Sequence, residues 1–539
     1  MTYNSHDEWI WWKYGVIYHI YPLSFFDSNN DGFGDLRGIM LKLDYLKELG
    51  VDAIWLSPIF LSPGADCGYD ISDYYTIDPK FGTIDDFRKL REEAHHRNIK
   101  VVLDMVLNHT SNKHPWFIES ASDKKSLKRD WYIWKPGKEN RKPNNWKTAF
   151  GGSCWEYHKG TGQYYLHSFL KEQPDLNWRN KEVRKEMFRM LRYWLEEGVD
   201  GFRFDVINFI VKDKKLRNNS FLHWMNSSRK LRTRNHPRSY KIIRSLRKLL
   251  DKYPDKMSVG EIYTLPPGDA KLSASYLANG ENSLHLAFDF SLIFTSWNAR
   301  AYYKVIDRWQ KSIPEKGWPC NVFSNHDLLR FYNRSRFGFF KKEKARIIAL
   351  LLMTLRGTPF LYYGDEIGMK NSSVPLGKMK DKLGKKYWPL YKGRDRSRTP
   401  MQWNSYPNAG FSVAEPWLPV DKNFAEVNVE SQKENPDSLL TFYQHLIMLR
   451  KSSAALHRGN WIALNNGSGN LMAYMRTTAD EQILVLVNFS PFAKHYIYPL
   501  KSMDKLLLST HKSSLGKTFH SKINLRPFEG LVFKLNEKE

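Results

Sequence analysis

Cysteine is scarce in this chain: Cys67, Cys154 and Cys320 are the only three among 539 residues. They are odd in number, far apart and form no Cys-x-x-Cys pair, which excludes a disulfide scaffold and a structural zinc site. Long apolar runs are also missing. The longest, 347–355, is interrupted and too short to cross a bilayer, so no membrane partner is expected. The opening MTYNSHDEWIWWKYG has neither an apolar core nor a small-residue cleavage site, so no signal peptide is expected. The resulting expectation is a cytoplasmic protein in a reducing compartment. Acidic residues are in deficit, with 57 Asp+Glu against 83 Lys+Arg and a net charge of +26. No helix-turn-helix, RNP or zinc-finger pattern accompanies that charge, so it reads as a basic solvated surface, with no nucleic-acid partner. The hydrophobic content of 42% is enough for a sizeable core and excludes disorder.

Eight β-like runs stand out: 15–22, 52–58, 100–109, 199–207, 257–263, 285–290, 321–327 and 358–366. Helical patterns separate several of them, over 36–48, 84–97, 181–197 and 344–355. Strands that alternate with helices predict an α/β chain, a closed (β/α)8 TIM barrel. After the third strand some 65 residues (110–175) lack clean periodicity, long enough for a small inserted domain. From about Trp461 short alternating strands (MAYMRT, QILVLVNFS, HYIYPL, GLVFKL) predict a C-terminal antiparallel β-sandwich. The expected division is a barrel from 1–104 and 175–458, an insert over 105–174 and a terminal domain over 459–539. Basic residues gather in two stretches, 376–398 and 212–248.

The C-terminal ends of the predicted strands carry carboxylates: Asp104 with His109 on the third, Asp205 on the fourth, Glu261 on the fifth and Asp327 on the seventh. A carboxylate on an apolar strand is costly unless paired or placed at the barrel mouth. Several in register would converge over one mouth, where barrel active sites lie. Such a cluster suits glycosidic-bond cleavage, in which one acid protonates the leaving oxygen and one carboxylate faces an oxocarbenium-like carbon. Arg203 lies two residues before Asp205, on the same strand face, and should keep Asp205 ionised. Glu261 has no cation beside it in VGEIY, so an apolar setting should leave it protonated.

DSNNDGFGDLRGI (27–39), GYDISDY (68–74), DMVLNH (104–109), QPDLN (173–177), GFRFDVIN (201–208), VGEI (259–262), NHD (325–327), RGTPFLYYGDEIG (356–368) and GRDRSRTPMQW (393–403) occur in one order. Together they resemble the α-amylase superfamily, glycoside hydrolase family 13, and within it the α-glucosidases and oligo-1,6-glucosidases. The resemblance implies Asp205 as nucleophile, Glu261 as general acid/base and Asp327 as the third carboxylate on sugar hydroxyls. It implies His109 and His326 on hydroxyls of the first glucose, and Arg203 orienting the nucleophile. It pairs Asp66 with Arg398 on the non-reducing-end sugar, puts Tyr69 beneath that sugar, and makes Phe150 and Phe169 pocket walls. The family retains anomeric configuration, so the carboxyls of Asp205 and Glu261 are expected about 5–5.5 Å apart. NHDLLR differs from the commoner NHDxPR, which leaves the role of Arg330 open.

Asp27, Asn29 and Asp31 alternate as at the start of an EF-hand, with Gly32 at the turn, but position twelve is Gly38 and not Glu. The loop resembles the family's structural calcium or magnesium site, with ligands Asp27, Asn29, Asp31, the Phe33 carbonyl and Asp35; no organic cofactor is expected. QPDLN and Val206 incline toward α-1,6 linkages, while LRNN (216–219) and PNAGFS (407–412) resemble α-1,4-glucosidases. The function implied is an exo-acting retaining α-glucosidase on short oligosaccharides, as monomer or homodimer. The alternatives are a trehalose-6-phosphate hydrolase or a glucosyl-transferring isomerase. More distant are a non-catalytic transporter partner and a polyanion-binding protein.

Overall fold

The computed structural model describes residues 9–137, 141–220, 231–264, 267–333, 338–499, 504–514 and 521–536. All eight predicted barrel strands are present: β1 (Ile17–Ile20), β2 (Ala53–Leu56), β3 (Lys100–Val106), β4 (Gly201–Asp205), β5 (Met257–Glu261), β6 (Leu286–Phe288), β7 (Cys320–Val322) and β8 (Thr358–Tyr362). They form one parallel sheet in the order β6-β5-β4-β3-β2-β1-β8-β7. At the seam the Cys320 thiol of β7 donates to the Ala287 carbonyl of β6 at 3.2 Å, so the sheet is a nearly closed barrel. The seventh strand is shorter than expected. It stops at Val322, and Asn325, His326 and Asp327 stand in the loop beyond it.

Alternation along β4 separates two environments. Phe202 and Phe204 pack outward into the helical layer, while Arg203 and Asp205 face in. The barrel interior is filled by Trp55, Phe288 and Phe360 among smaller apolar residues. Helices α1 (Ile84–His96), α2 (Lys181–Glu196), α3 (Pro237–Leu250) and α4 (Lys341–Thr354) lie outside the strands. Each of the first three has a side-chain cap at its start. Thr83 forms a capping box with Asp86, Asn180 accepts from Glu182, and His236 accepts from Arg238 before Pro237. The predicted helix over 36–48 is instead two short helices, Leu36–Leu41 and Leu43–Leu49, broken at Lys42. The apolar run 347–355 falls in and just after α4, which is buried from Ile347 to its end. No helix among the described residues is long and apolar enough to cross a membrane.

After β3 the chain forms a helix (Pro115–Ser122) and a three-stranded antiparallel sheet of Trp134–Lys135, Gln163–Leu166 and Trp155–His158. The bridge between His109 and Asp175 ties its exit to its return. At the C-terminus a five-stranded antiparallel sheet faces a two-stranded one. Leu484 and Leu486 of the larger sheet pack with Ile523 and Leu525 of the smaller, which makes the expected sandwich.

Candidate active site

The register of the barrel builds the site. Arg203 of β4 stands opposite Asp104 of β3 on one side and Val259 of β5 on the other. Two residues further along, Asp205 and Glu261 end their strands. Arg203 Nη1 donates to Asp104 at 2.7 and 3.0 Å and to Asp205 at 2.8 Å, and its Nη2 donates to Glu261. One buried guanidinium therefore serves three carboxylates. This corrects the expectation that Glu261 lies apart from any cation: the partner sits on the neighbouring strand, where linear sequence does not show it. It also corrects the expectation that Arg203 holds Asp205 low. Burial raises Asp205 and Glu261, Arg203 pulls both down, and repulsion within the group raises them again, so both end above the ordinary range. One positive charge offsets only part of the repulsion among three neighbouring buried carboxylates, so they titrate together and not independently.

Across the pocket two arginines serve three carboxylates, and both of them reach Asp327. Asp327 accepts from Arg398 Nη2 at 2.7 Å and from Arg394 Nη1 at 3.3 Å. Burial opposes ionisation of Asp327, but His326, Arg394 and Arg398 outweigh it and hold the carboxyl below the usual range. Burial pushes His326 itself down to about 3, so at neutral pH the two arginines carry the effect. Arg394 Nη2 also bonds Asp66 at 2.6 Å and Asp381 at 2.9 Å. The expected pairing of Asp66 with Arg398 is thus taken by Arg394, four residues earlier. Arg398 is fully buried and approaches Asp327 from behind, with its Nε on the His326 carbonyl at 2.8 Å.

These groups open on a cavity of about 250 Å³ lined by Asp66, Tyr69, His109, Asp205, Glu261 and Asp327. That is at the small end of ligand pockets, which run to roughly 300–1,000 Å³, and suits a single sugar ring. Tyr69 is fixed by its hydroxyl, 2.7 Å from His326 Nε2 and 3.0 Å from Asp104. His109 lies 3.1 Å from the Tyr69 carbonyl and from Gln173 Nε2, and burial lowers it to about 4, so it is neutral. Phe150 and Phe169 meet edge to face at 5.5 Å on the wall, and Arg394 lies over Phe150. Phe169 packs with Val206 and Phe209. Val206 itself is left-handed (φ 35°), a conformation that costs a β-branched residue about 1–3 kcal/mol and is held by this packing. Tyr263, Phe290, Phe294, Leu328 and Tyr391 make a largely apolar outer rim.

Sequence reasoning did not assign Gln173 or Arg394 to the site. Gln173 opens QPDLN and Arg394 lies in GRDRSRT, so both motifs carried a signal, but it pointed to a neighbouring residue or to none. Arg330, left open by the sequence, is structural: its Nη1 bonds the Tyr363 carbonyl at 2.5 Å and Asp365 at 3.2 Å, beyond the end of β8. In the basic stretch 212–248, residues 221–230 lie outside the described residues. Lys212 is buried on Asp175 (2.8 Å) and Asn108 (2.7 Å), so it is neither solvated nor free for a ligand.

The loop at Asp27 is a chain of Asx turns. Asp27 accepts from the amides of Asn29, Asn30 and Gly32, Asn29 from Asp31, and Asp31 from Phe33. Asp35 accepts from Ser28 and caps the next helix through Gly38. Its donors are all oxygens, the type that a hard cation takes, although among the described residues no three acidic side chains, Asp27, Asp31 and Asp35 included, gather closely enough to hold a metal ion.

A family model described as "Alpha amylase, catalytic domain" matches residues 19–459. The oligo-1,6-glucosidase of Parageobacillus thermoglucosidasius is 41% identical over 98% of this chain and 99% of its own. The trehalose-6-phosphate hydrolase of Bacillus subtilis is 36% identical over 98% of each. The crystal structure of an α-glucosyl transfer enzyme superimposes with a TM-score of 0.92 at 37% identity, covering 98% of this chain and all of that one. The carboxylates at the barrel mouth and this full-length similarity lead to one conclusion: the chain belongs to the α-amylase family of glycoside hydrolases and is an enzyme of the oligo-1,6-glucosidase/α-glucosidase type.

Proposed function

We propose that the protein is an exo-acting retaining α-glucosidase that releases glucose from the non-reducing end of short α-1,6- or α-1,4-linked oligosaccharides. The observation that carries this reading is the suspension of Asp205 and Glu261 from the two terminal nitrogens of one guanidinium, facing a one-sugar cavity. Two carboxyls on one guanidinium favour the narrow spacing of retaining enzymes over the wider inverting one.

In the first step Asp205 attacks the anomeric carbon as the glycosidic C–O bond breaks, and the leaving oxygen takes the proton of Glu261. In the second, Glu261 removes a proton from water, the water oxygen bonds to the anomeric carbon, and Asp205 is released. The raised value of Glu261 suits a group that must hold a proton before the first step. Asp327, kept ionised by Arg394 and Arg398, accepts sugar hydroxyls, and neutral His109 and His326 contact others. Tyr69 offers its ring to the apolar face of the sugar. The Asp66–Arg394 pair closes the pocket, which limits it to chain ends. Val206 forms part of the wall near the leaving sugar and inclines the site toward α-1,6 linkages.

Initial rates on maltose, isomaltose, sucrose, trehalose and trehalose-6-phosphate test this reading. Hydrolysis of isomaltose or maltose is expected to be fastest; preference for trehalose-6-phosphate, or isomerisation of sucrose, would replace it. The loop bearing Asp27, Asn29, Asp31, the Phe33 carbonyl and Asp35 holds Ca2+ or Mg2+ in a structural role in this proposal. Melting with and without chelator checks it, and an unchanged melting temperature would remove the metal.

A further inference from the structure

The arginines of the catalytic pocket are spent on carboxylates. A second group of cations is not. On the outer side of the barrel an open groove of about 810 Å³ is lined by Arg179, Arg184, Lys185, His236, Arg238 and Lys241, and none of its described lining residues is acidic. Arg179 and Arg184 are held in place by backbone carbonyls, and the carboxylate that acts on Arg179, Asp213, lies outside the lining and is paired with Arg217. Arg184 Nη1 donates to the carbonyls of Trp178 (2.8 Å), Arg179 (2.9 Å) and Asn180 (3.2 Å). Arg179 Nη2 donates to the Lys212 carbonyl at 2.7 Å and lies 3.2 Å from His236 Nε2. Carbonyls fix the position of a guanidinium without cancelling its charge.

The consequence is repulsion left in the fold. Burial and then Arg238 lower the pKa values of both Arg179 and Arg184, and Asp213 only partly offsets this at Arg179. Like charges held facing one another raise the free energy of the empty groove, and an anion bound between them removes that cost. Arginine forks match phosphate oxygens in geometry as well as charge. Lys185, Arg238 and Lys241 are exposed and reach the same groove, with Phe188 and Ile242 as its apolar floor. The cations are concentrated around α2 and the first turns of α3 rather than strung along a face, which fits a compact polyvalent anion better than an extended backbone.

We propose that this groove is a binding site for a small ligand carrying two or more phosphate charges, separate from the catalytic pocket. The test is calorimetric titration of pyrophosphate into the full-length protein and into Arg238→Glu/Lys241→Glu. A second variant, Lys341→Glu/Lys342→Glu, makes the same charge change at exposed positions elsewhere. Saturable binding is expected in the parent and in the second variant, and at least tenfold weaker binding in the first. Hydrolysis of a chromogenic α-glucoside is expected to be unchanged in both. Equal weakening in the two variants would reduce the effect to net charge and overturn the proposal, as would no binding to the parent. Groove-dependent binding of duplex DNA without binding of pyrophosphate would also overturn it.

Discussion

The two walls of the catalytic pocket both hold deeply buried carboxyls, although the side chain of Asp327 is 34% exposed, and they respond in opposite ways. On the Arg203 side, one cation faces Asp104, Asp205 and Glu261, and the reacting carboxyls are raised. On the Arg394 side, two cations meet at Asp327, which is lowered, and Arg394 holds Asp381 at about 2 against burial. Asp381 is as deeply buried as Asp205 and Glu261 and is nevertheless lowered, so burial alone does not decide protonation; the neighbouring charges do. The first wall keeps protons available for transfer. The second keeps permanent anions to grip hydroxyls.

The largest expected effect is on the proton-handling wall. Asp205→Asn removes the attacking oxygen and should lower kcat roughly 10⁴-fold or more, read by initial rates on an aryl α-glucoside. Wild-type rates in this variant would end the assignment. Arg203→Met should abolish turnover and also destabilise the fold by about 3–5 kcal/mol, because it leaves buried carboxylates without a cation. Denaturant unfolding reads that cost, and a loss below about 1 kcal/mol would show that the group simply takes up protons. On the gripping wall the effect should fall mainly on KM. Arg394→Lys loses the fork to Asp66, Asp381 and Asp327, and KM should rise roughly tenfold to a hundredfold, at about 1.5–3 kcal/mol for charge-assisted bonds. A fall in kcat at constant KM would place Arg394 on the other side of the comparison.

The smallest effect is in the pH profile. Glu261 works protonated in the first step, and its value is raised above 4.5, so its proton is kept to higher pH than an ordinary carboxyl's. Activity should fall on the alkaline side as that proton is lost, with the midpoint displaced upward from that of an ordinary carboxyl. In Glu261→Gln, on a substrate whose leaving group needs no protonation, the alkaline limb of the glycosylation step should disappear. An unchanged limb would assign it to another group.

The order of β/α units was legible because each barrel strand is a short apolar run that turns polar at its end. Asp205 and Glu261 were legible for the same reason: a carboxylate closing an apolar strand is too costly to bury unless it is paired or stands at the barrel mouth. The motifs that carried the family resemblance pointed to Tyr69, His109 and Asp327 but not to Gln173 or Arg394. The choice between Arg394 and Arg398 was not legible, since both lie in one short loop and only its fold decides which reaches Asp66. The break at Lys42 was hidden by continuous helical periodicity on both sides of it.

The sequence alone determined the kind of chemistry, because apolar alternation and the identity of strand-end carboxylates are local properties. Tertiary structure decided the electrostatics. Arg203 is two residues from Asp205 in sequence but touches Asp104 and Glu261 only through strand register. The basic groove gathers cations from the start of α2 and the start of α3, elements separated in sequence by β4 and the loop after it. Charge interactions depend on distance in space, and the fold alone sets that distance.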